Sequence, residues 1–273
     1  MIPLRKLLPL NDLEPYSEEE KEKQMLIEAK KLIAAINRTP GNTPRMGYDC
    51  PICRNKEFVL TLEGKQRRSH ACSCVQIRQN LLRLKQRGLL DLYQQCTFSN
   101  FTTPQLWQQQ AKDAAQSYSE SDLKHWFFLS GPSGCGKTHL CTAIAAQLIL
   151  TGHDVQIFRW VEWAAKAKSA ITDADAYAAL LEPLKDCDVL YLDDFLKVQK
   201  GVSPTAADIR LAFEVLDARY NAPDKSVILS SEFHLGQITG FDEALAGRIV
   251  ERSGGFAVQI QNAPGRNYRF AHV

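Results

Sequence analysis

The chain has 273 residues, 45% of them apolar and 23% charged, with a net charge of +2. That length suits about two domains, and the apolar share is ordinary for a water-soluble globular protein. No run of 18 apolar residues occurs and residues 1–10 are interrupted by Pro3 and Pro9, so a spanning helix and a secretory signal are both excluded and a cytoplasmic protein without membrane partners is expected.

The charge is uneven. Residues 1–100 carry 17 Lys/Arg against 11 Asp/Glu, the remainder carries 16 against 20, and residues 45–90 carry 10 against 3. A basic front ahead of an acidic body suits nucleic acid or an acidic partner; a solvated basic helix gives the same pattern.

In chain order, Ser17 followed by three glutamates is a helix start, with an N-cap and acids that complement the helix dipole. Met25, Leu26, Ala29, Leu32, Ile33 and Ile36 share one face of a helix over 18–36. Residues 39–44, TPGNTP, end it as a linker.

Next come Cys50 and Cys53, then Cys72 and Cys74, with His70 close by. Two short cysteine pairs separated by a hairpin (58–65) suit a tetrahedral zinc site. The second pair is C-x-C, so His70 could replace one thiolate, and an iron–sulfur cluster or free thiols are the alternatives. So small a module would draw its folding energy from the metal. The remaining cysteines, at 96, 135, 141 and 187, are read as plain buried thiols. A basic amphipathic helix follows over 74–88, and another helix over 104–118.

Residues 126–130 are a buried strand. They run into Gly131-Pro132-Ser133-Gly134-Cys135-Gly136-Lys137-Thr138, followed by His139 and a helix carrying Leu140, Ile144, Leu148 and Ile149. Strand, glycine loop and helix together make a phosphate site that suits a nucleoside triphosphate. Loop N–H groups and the helix N-terminus face the anion. Lys137 reaches the β- and γ-phosphates, and the Thr138 hydroxyl ligates Mg²⁺.

A second strand covers 154–160, helices cover 161–170 and 175–185, and a third strand covers 187–192. That third strand ends in Asp193 and Asp194. Asp193 suits the Mg²⁺ shell and Asp194 the attacking water, although paired acids also cap helices. A helix over 204–220, a strand over 226–231, a helix over 244–252 and a tail with a short strand complete the chain. Strands alternating with helices give an α/β fold with a parallel sheet covered on both faces. Ser231 and Glu232, at a strand end, are candidates for sensing the γ-phosphate or a plain turn. Arg248 is a candidate finger for a neighbour's site or a surface arginine. Trp160, Trp163, Lys166, Lys168 and Tyr177 either stack bases and pair phosphates or, for the tryptophans, pack in the core.

The glycine loop, the Asp193-Asp194 and Ser230-Ser231-Glu232 strand ends, Gly247-Arg248-Ile249 and the closing Asn267-Tyr268-Arg269 resemble the AAA+ ATPases of the DnaC/DnaI/IstB group. That group holds replicative helicase loaders, phage homologues and ATPase helpers of transposition. The front cysteines are similar to the zinc-bearing domain of DnaI-type loaders. The resemblance spans about residues 45–270. It implies an AAA+ P-loop NTPase core over 96–273 without a large C-terminal lid, a zinc-binding partner domain over 45–95 and a helix with linker over 1–44. It further implies ATP, Mg²⁺ and Zn²⁺ as cofactors, a hexameric replicative helicase and single-stranded DNA as partners, and self-association through the ATPase domain. Arg248 would then be the arginine finger and Arg269 a sensor-2-like residue. Glu232 departs from the Asn common at its position, which puts the hydrolysis rate in doubt. A transposition helper and a nucleotide-switched module with negligible turnover are the rival readings.

Overall fold

Residues 17–44, 47–199 and 202–268 are described by the computed structural model; the readings of residues 1–10 and of Arg269 lie outside them. The chain divides between Val75 and Gln76 into two compact units.

In the first unit, helix α1 (Glu18–Arg38) starts on a reciprocal cap: Ser17 Oγ accepts from the Glu20 N–H and the Glu20 carboxylate accepts from the Ser17 N–H. Two orphan donors of the first turn are thereby satisfied. The hairpin is present as β1 (Phe58–Glu63) and β2 (Gln66–Ala71), antiparallel around a two-residue turn. Asn37 ties α1 to it, donating to the Leu60 carbonyl at 2.9 Å and accepting from the Leu60 N–H at 3.0 Å. Ile33 is the buried residue of α1, while Met25 and Leu32 are exposed. The apolar stripe read from the sequence is therefore only partly covered within this unit.

The second unit is built on five parallel strands: β3 (Phe127–Ser130), β4 (Val155–Arg159), β5 (Val189–Phe195), β6 (Ser226–Ser231) and β7 (Ala257–Gln259), in the order β4-β5-β6-β3-β7. Every residue of β3 and β6 is buried. Such uninterrupted burial is what a parallel sheet between helices requires. Around it lie α2 (Cys74–Gln86), which begins in the first unit, α3 (Leu90–Gln95), α4 (Leu106–Ser119), α5 (Lys137–Leu150), α6 (Trp160–Ser169), α7 (Ala174–Asp186), α8 (Ala206–Tyr220), α9 (Leu235–Phe241) and α10 (Glu243–Ser253). The short helices α3 and α9 had no counterpart in the sequence pattern. No helix among the described residues is long and apolar enough to cross a membrane.

The structure decides the two-way reading of the tryptophans and alters that of the basic helix. Trp160 and Trp163 are buried against Phe195 and one another; they are core residues, so base stacking is closed to them. Lys168 pairs with Asp208, and the Tyr177 hydroxyl donates to Glu214. In α2, Arg78 is buried, Arg83 pairs with Asp154, and Arg87 donates to Ile157 O and Gln156 Oε1 while lying over the Phe158 ring. The basic helix is thus largely engaged with the ATPase unit. Arg67 and Arg68 of β2 remain exposed.

Candidate active site and cysteine cluster

Strand order positions the nucleotide site. β6 lies between the strand that feeds the glycine loop and the strand that carries the acids, so a side chain at its C-terminal end can bridge the two. Ser230 does so. Its hydroxyl donates to Asp193 Oδ1 at 2.6 Å and accepts from the Asp194 N–H at 2.9 Å. Asp193 Oδ1 also accepts from Thr138 Oγ1 at 3.0 Å and from the Tyr191 hydroxyl at 2.7 Å. Burial and the adjacent Asp193 carboxylate push the Tyr191 phenol far up, so it stays a donor. The carboxylate beside Thr138 is therefore held by three hydroxyls.

The acid pair sits on a bulge. β5 and β6 lose register between Leu192 and Phe195, and Asp194 adopts φ 55° and Leu196 φ 61°. Bulges beside active sites re-aim side chains; here consecutive acids take different duties. Asp193 is buried, whereas Asp194 opens into a cavity of about 420 Å³. The cavity is lined by the loop from Ser133 to His139, by Asp194, Lys197 and Glu232, and by Phe101, Trp107, Arg266 and Tyr268.

The loop has the geometry that its sequence demands. Gly134 and Gly136 have φ 77° and 97°, a region open to glycine. A Cβ on Gly136 would come within 2.6 Å of the Phe101 ring, and one on Gly134 would overlap the Asn267 side chain. The tail reaches the loop through the Tyr268 N–H, which donates to Gly134 O at 3.0 Å. Gly131 and Pro132 lend their carbonyls to Lys137 Nζ at 2.8 and 3.0 Å. His139 Nε2 lies 2.8 Å from Thr97 O, and its ring meets Phe101 edge-on. Cys135 is a buried thiol, its pKa raised by burial.

The two sensor candidates part company. Ser231 is fully buried; its hydroxyl donates to Phe195 O and accepts from the Phe233 N–H. Glu232 faces the cavity, 3.4 Å from Lys197 Nζ. Lys197 also donates to Asp194 Oδ2 at 2.9 Å. Burial works against its charge, but Asp194 and Glu232 outweigh that and raise its pKa. Arg248 is away from the cavity lining: its Nε and Nη2 donate to Asp217 Oδ1 at 3.0 and 2.7 Å, and its guanidinium lies over Phe213. Ser230, Tyr191, Lys197 and the wall formed by Phe101, Trp107 and Arg266 were not singled out in the sequence as site residues. Arg266 lies 4.8 Å over the Trp107 ring.

In the first unit, Cys50, Cys53, Cys72 and Cys74 are buried, with their sulfurs all within 4.8 Å of one another. The Cys50–Cys72 and Cys53–Cys74 sulfur separations are 3.7 and 3.4 Å. A Zn–S bond of about 2.3 Å puts tetrahedral ligands about 3.8 Å apart, so the four thiols fit one ion. A multi-iron cluster, whose four cysteines are spread over two or more irons, calls for wider spacing between at least some of them. Burial resists ionisation of Cys53, yet hydrogen bonds from Cys74, the Glu57 N–H, Cys50 and Cys72 bring its thiol down to about 6. Burial and the neighbouring thiols raise Cys74. His70 stands apart and exposed on β2, its Nε2 2.7 Å from Thr61 Oγ1 and 3.1 Å from Glu63 Oε1.

The family model described as IstB-like ATP binding protein matches residues 94–270. The phage-like element PBSX protein XkdC of Bacillus subtilis (strain 168) is 31% identical over 236 residues, 82% of this chain and 86% of that protein. The replicative helicase loader DnaC of Buchnera aphidicola subsp. Acyrthosiphon pisum (strain APS) is 25% identical over 72% of this chain and 80% of its own length. Among solved structures, AMPPCP-bound DnaA from Aquifex aeolicus aligns with a TM-score of 0.50 at 21% identity, over 64% of this chain and 52% of that one. The strand order, the glycine loop and these relationships agree: the chain belongs to the IstB-like ATP binding protein family and is an AAA+ P-loop ATPase of the IstB/DnaC kind.

Proposed function

We propose that this protein is an ATP-dependent loader that delivers a hexameric replicative helicase onto single-stranded DNA, with ATP binding and hydrolysis as its switch. The observation that carries the reading is the pairing of a complete nucleotide cavity with a separate four-cysteine unit in one chain, in a protein related to DnaC loaders along most of its length. The setting is the cytoplasm, without membrane contact.

In this reading the nucleotide's phosphates lie on the loop from Gly131 to Thr138, with His139 closing its far side. Lys137 leaves the Gly131 and Pro132 carbonyls for the β- and γ-phosphates. Thr138 and Asp193 would hold Mg²⁺, which would supply charge neutralisation at the phosphates. Asp194 orients the water whose oxygen attacks the γ-phosphorus, while ADP departs with the electrons of the broken P–O bond. Glu232 marks the γ end; Ser231 shapes the strand end beneath it. Arg248 would serve a neighbouring subunit's γ-phosphate by exchanging Asp217 for it, and Arg269 would act from the tail. Cys50, Cys53, Cys72 and Cys74 would hold zinc, which would order the front of the partner-binding stretch read over 45–95, of which residues 76–95 fall in the second unit. Ahead of that front stands the helix and linker of 1–44, and behind it the ATPase domain of 96–273, through which copies associate.

A transposition helper is the second reading, favoured by the family model itself, which matches residues 94–270; the cysteine unit lies outside that match and argues against the helper. Co-purification with the hexameric helicase decides between them. A complex that forms with ATP and weakens with ADP supports the loader; its absence, with duplex DNA stimulating turnover more than single strands, supports the helper.

A further inference from the structure

Beyond the loop lysine, the γ end of the cavity holds a second ammonium between two carboxylates. Lys197 Nζ donates to Asp194 Oδ2 at 2.9 Å and lies 3.4 Å from Glu232 Oε1, and all three side chains line the cavity. Each is about one-third exposed, so each can reach a bound ligand without unfolding its surroundings. The turn that brings Lys197 back beside Asp194 is specific: Asp194 and Leu196 have positive φ, and the Lys197 N–H donates to Asp194 O at 3.0 Å. Non-glycine residues adopt such backbone only where the surroundings hold them there.

Glu232 poses a chemical problem. A carboxylate accepts hydrogen bonds and donates none, so beside a γ-phosphate it would repel. Paired with Lys197 it is neutralised, and the ammonium keeps donors to offer. We propose that Lys197 is the γ-phosphate-sensing residue of this site: Glu232 holds its ammonium at the γ end of the cavity, and a bound γ-phosphate draws it off Asp194, leaving that carboxylate to orient water. With ADP nothing competes, so Lys197 stays on Asp194 and the acid remains occupied. This rests on the reading of Asp194 as the water-orienting acid.

The experiment measures the affinity of the full-length chain for ADP and for a non-hydrolysable ATP analogue, together with steady-state turnover. Lys197→Met removes a charge-assisted contact made only to the γ-phosphate, so analogue affinity falls about tenfold or more while ADP affinity stays near wild type. Unchanged ADP affinity also reports an intact fold. Lys197→Gln, which keeps a hydrogen bond to Asp194 but no charge, behaves in the same way and covers the case of a disturbed loop. Adding Glu232→Asn to Lys197→Met restores much of the analogue affinity, because an amide can donate and the Glu232 carboxylate left unpaired by the first substitution is gone; Asp194 stands free of Lys197 with the analogue bound in the wild type as well. Equal effects on ADP and analogue in both single variants, or a double variant weaker than either, would overturn the proposal. A wild-type chain that binds the analogue yet does not turn over ATP would end the hydrolytic reading of Asp194, while the affinity ratio would still decide the sensing role of Lys197.

Discussion

Replacing Ser230 by alanine tests the bridge between the loop and the acids. The variant loses a hydroxyl that donates to Asp193 at 2.6 Å and accepts from the Asp194 N–H at 2.9 Å. A hydrogen bond to a charged group contributes about 1.5–3 kcal/mol. Thr138 and Tyr191 still hold the same oxygen of Asp193, so the lower end applies. If the loss falls on the transition state, turnover drops about tenfold. The Asp194 N–H, left without its partner, costs about 1–3 kcal/mol of stability. Ser231→Ala is the control: its hydroxyl serves Phe195 O and the Phe233 N–H, so it lowers stability to a similar extent and leaves turnover near wild type. Steady-state phosphate release and thermal melting read the two effects separately. A Ser230→Ala enzyme with wild-type turnover, or a larger turnover loss in Ser231→Ala, would refute the assignment.

Arg219 is fully buried and donates to the carbonyls of Leu184, Lys185, Cys187, Asp188 and Ser226, joining the end of α7 to the starts of β5 and β6. Arg219→Met leaves several of these carbonyls unpartnered and should cost about 3 kcal/mol or more, lowering the melting temperature by about 10 °C; a shift within about 2 °C would contradict that role. Elemental analysis should find one zinc per chain, lost in Cys50→Ser, and a chelator should unfold the first unit; a folded, metal-free wild type would reject the site. Burial opposes ionisation of Asp208, but Lys168 and Thr205 outweigh it and lower its pKa. The stability it contributes is therefore present above the ordinary carboxylate value of about 3.9 and lost as pH falls below it. Asp208→Asn should thus melt below wild type at pH 6, with the gap narrowing as the pH falls below the ordinary carboxylate value; a gap that does not narrow would refute the linkage.

The sequence carried the strands and the loop because both are local. An apolar run of four to six residues, a glycine spacing and an acid pair each declare themselves within a few positions; β3, α5 and β6 lie where that pattern puts them, while β5 starts two residues later than read and runs through the acid pair to Phe195. What stayed hidden depends on the sheet. Counting by two along β6 does not tell Ser230 from Ser231, because the bulge in β5 sets which hydroxyl meets Asp193. Lys197 reads as one more loop lysine until β5 and β6 stand side by side and bring Glu232 to it. Phe101, Trp107 and Arg266 come from distant segments to wall one cavity. Arg248 looks like a free cation in sequence, yet Asp217 and Phe213 of α8 already engage it. The same lack of tertiary context left Trp160 and Trp163 open to two readings that burial separates.

In the proposed function, nucleotide held by Lys137 drives transfer of a helicase onto single-stranded DNA. The most direct measurement is helicase capture on a closed single-stranded circle, using purified helicase with this protein and ATP, with ADP, or with the Lys137→Ala variant. Helicase should be retained on the circle with ATP and wild-type protein, and little of it with ADP or Lys137→Ala. Equal retention in all three, with Lys137→Ala shown to bind no nucleotide, would contradict the proposed function.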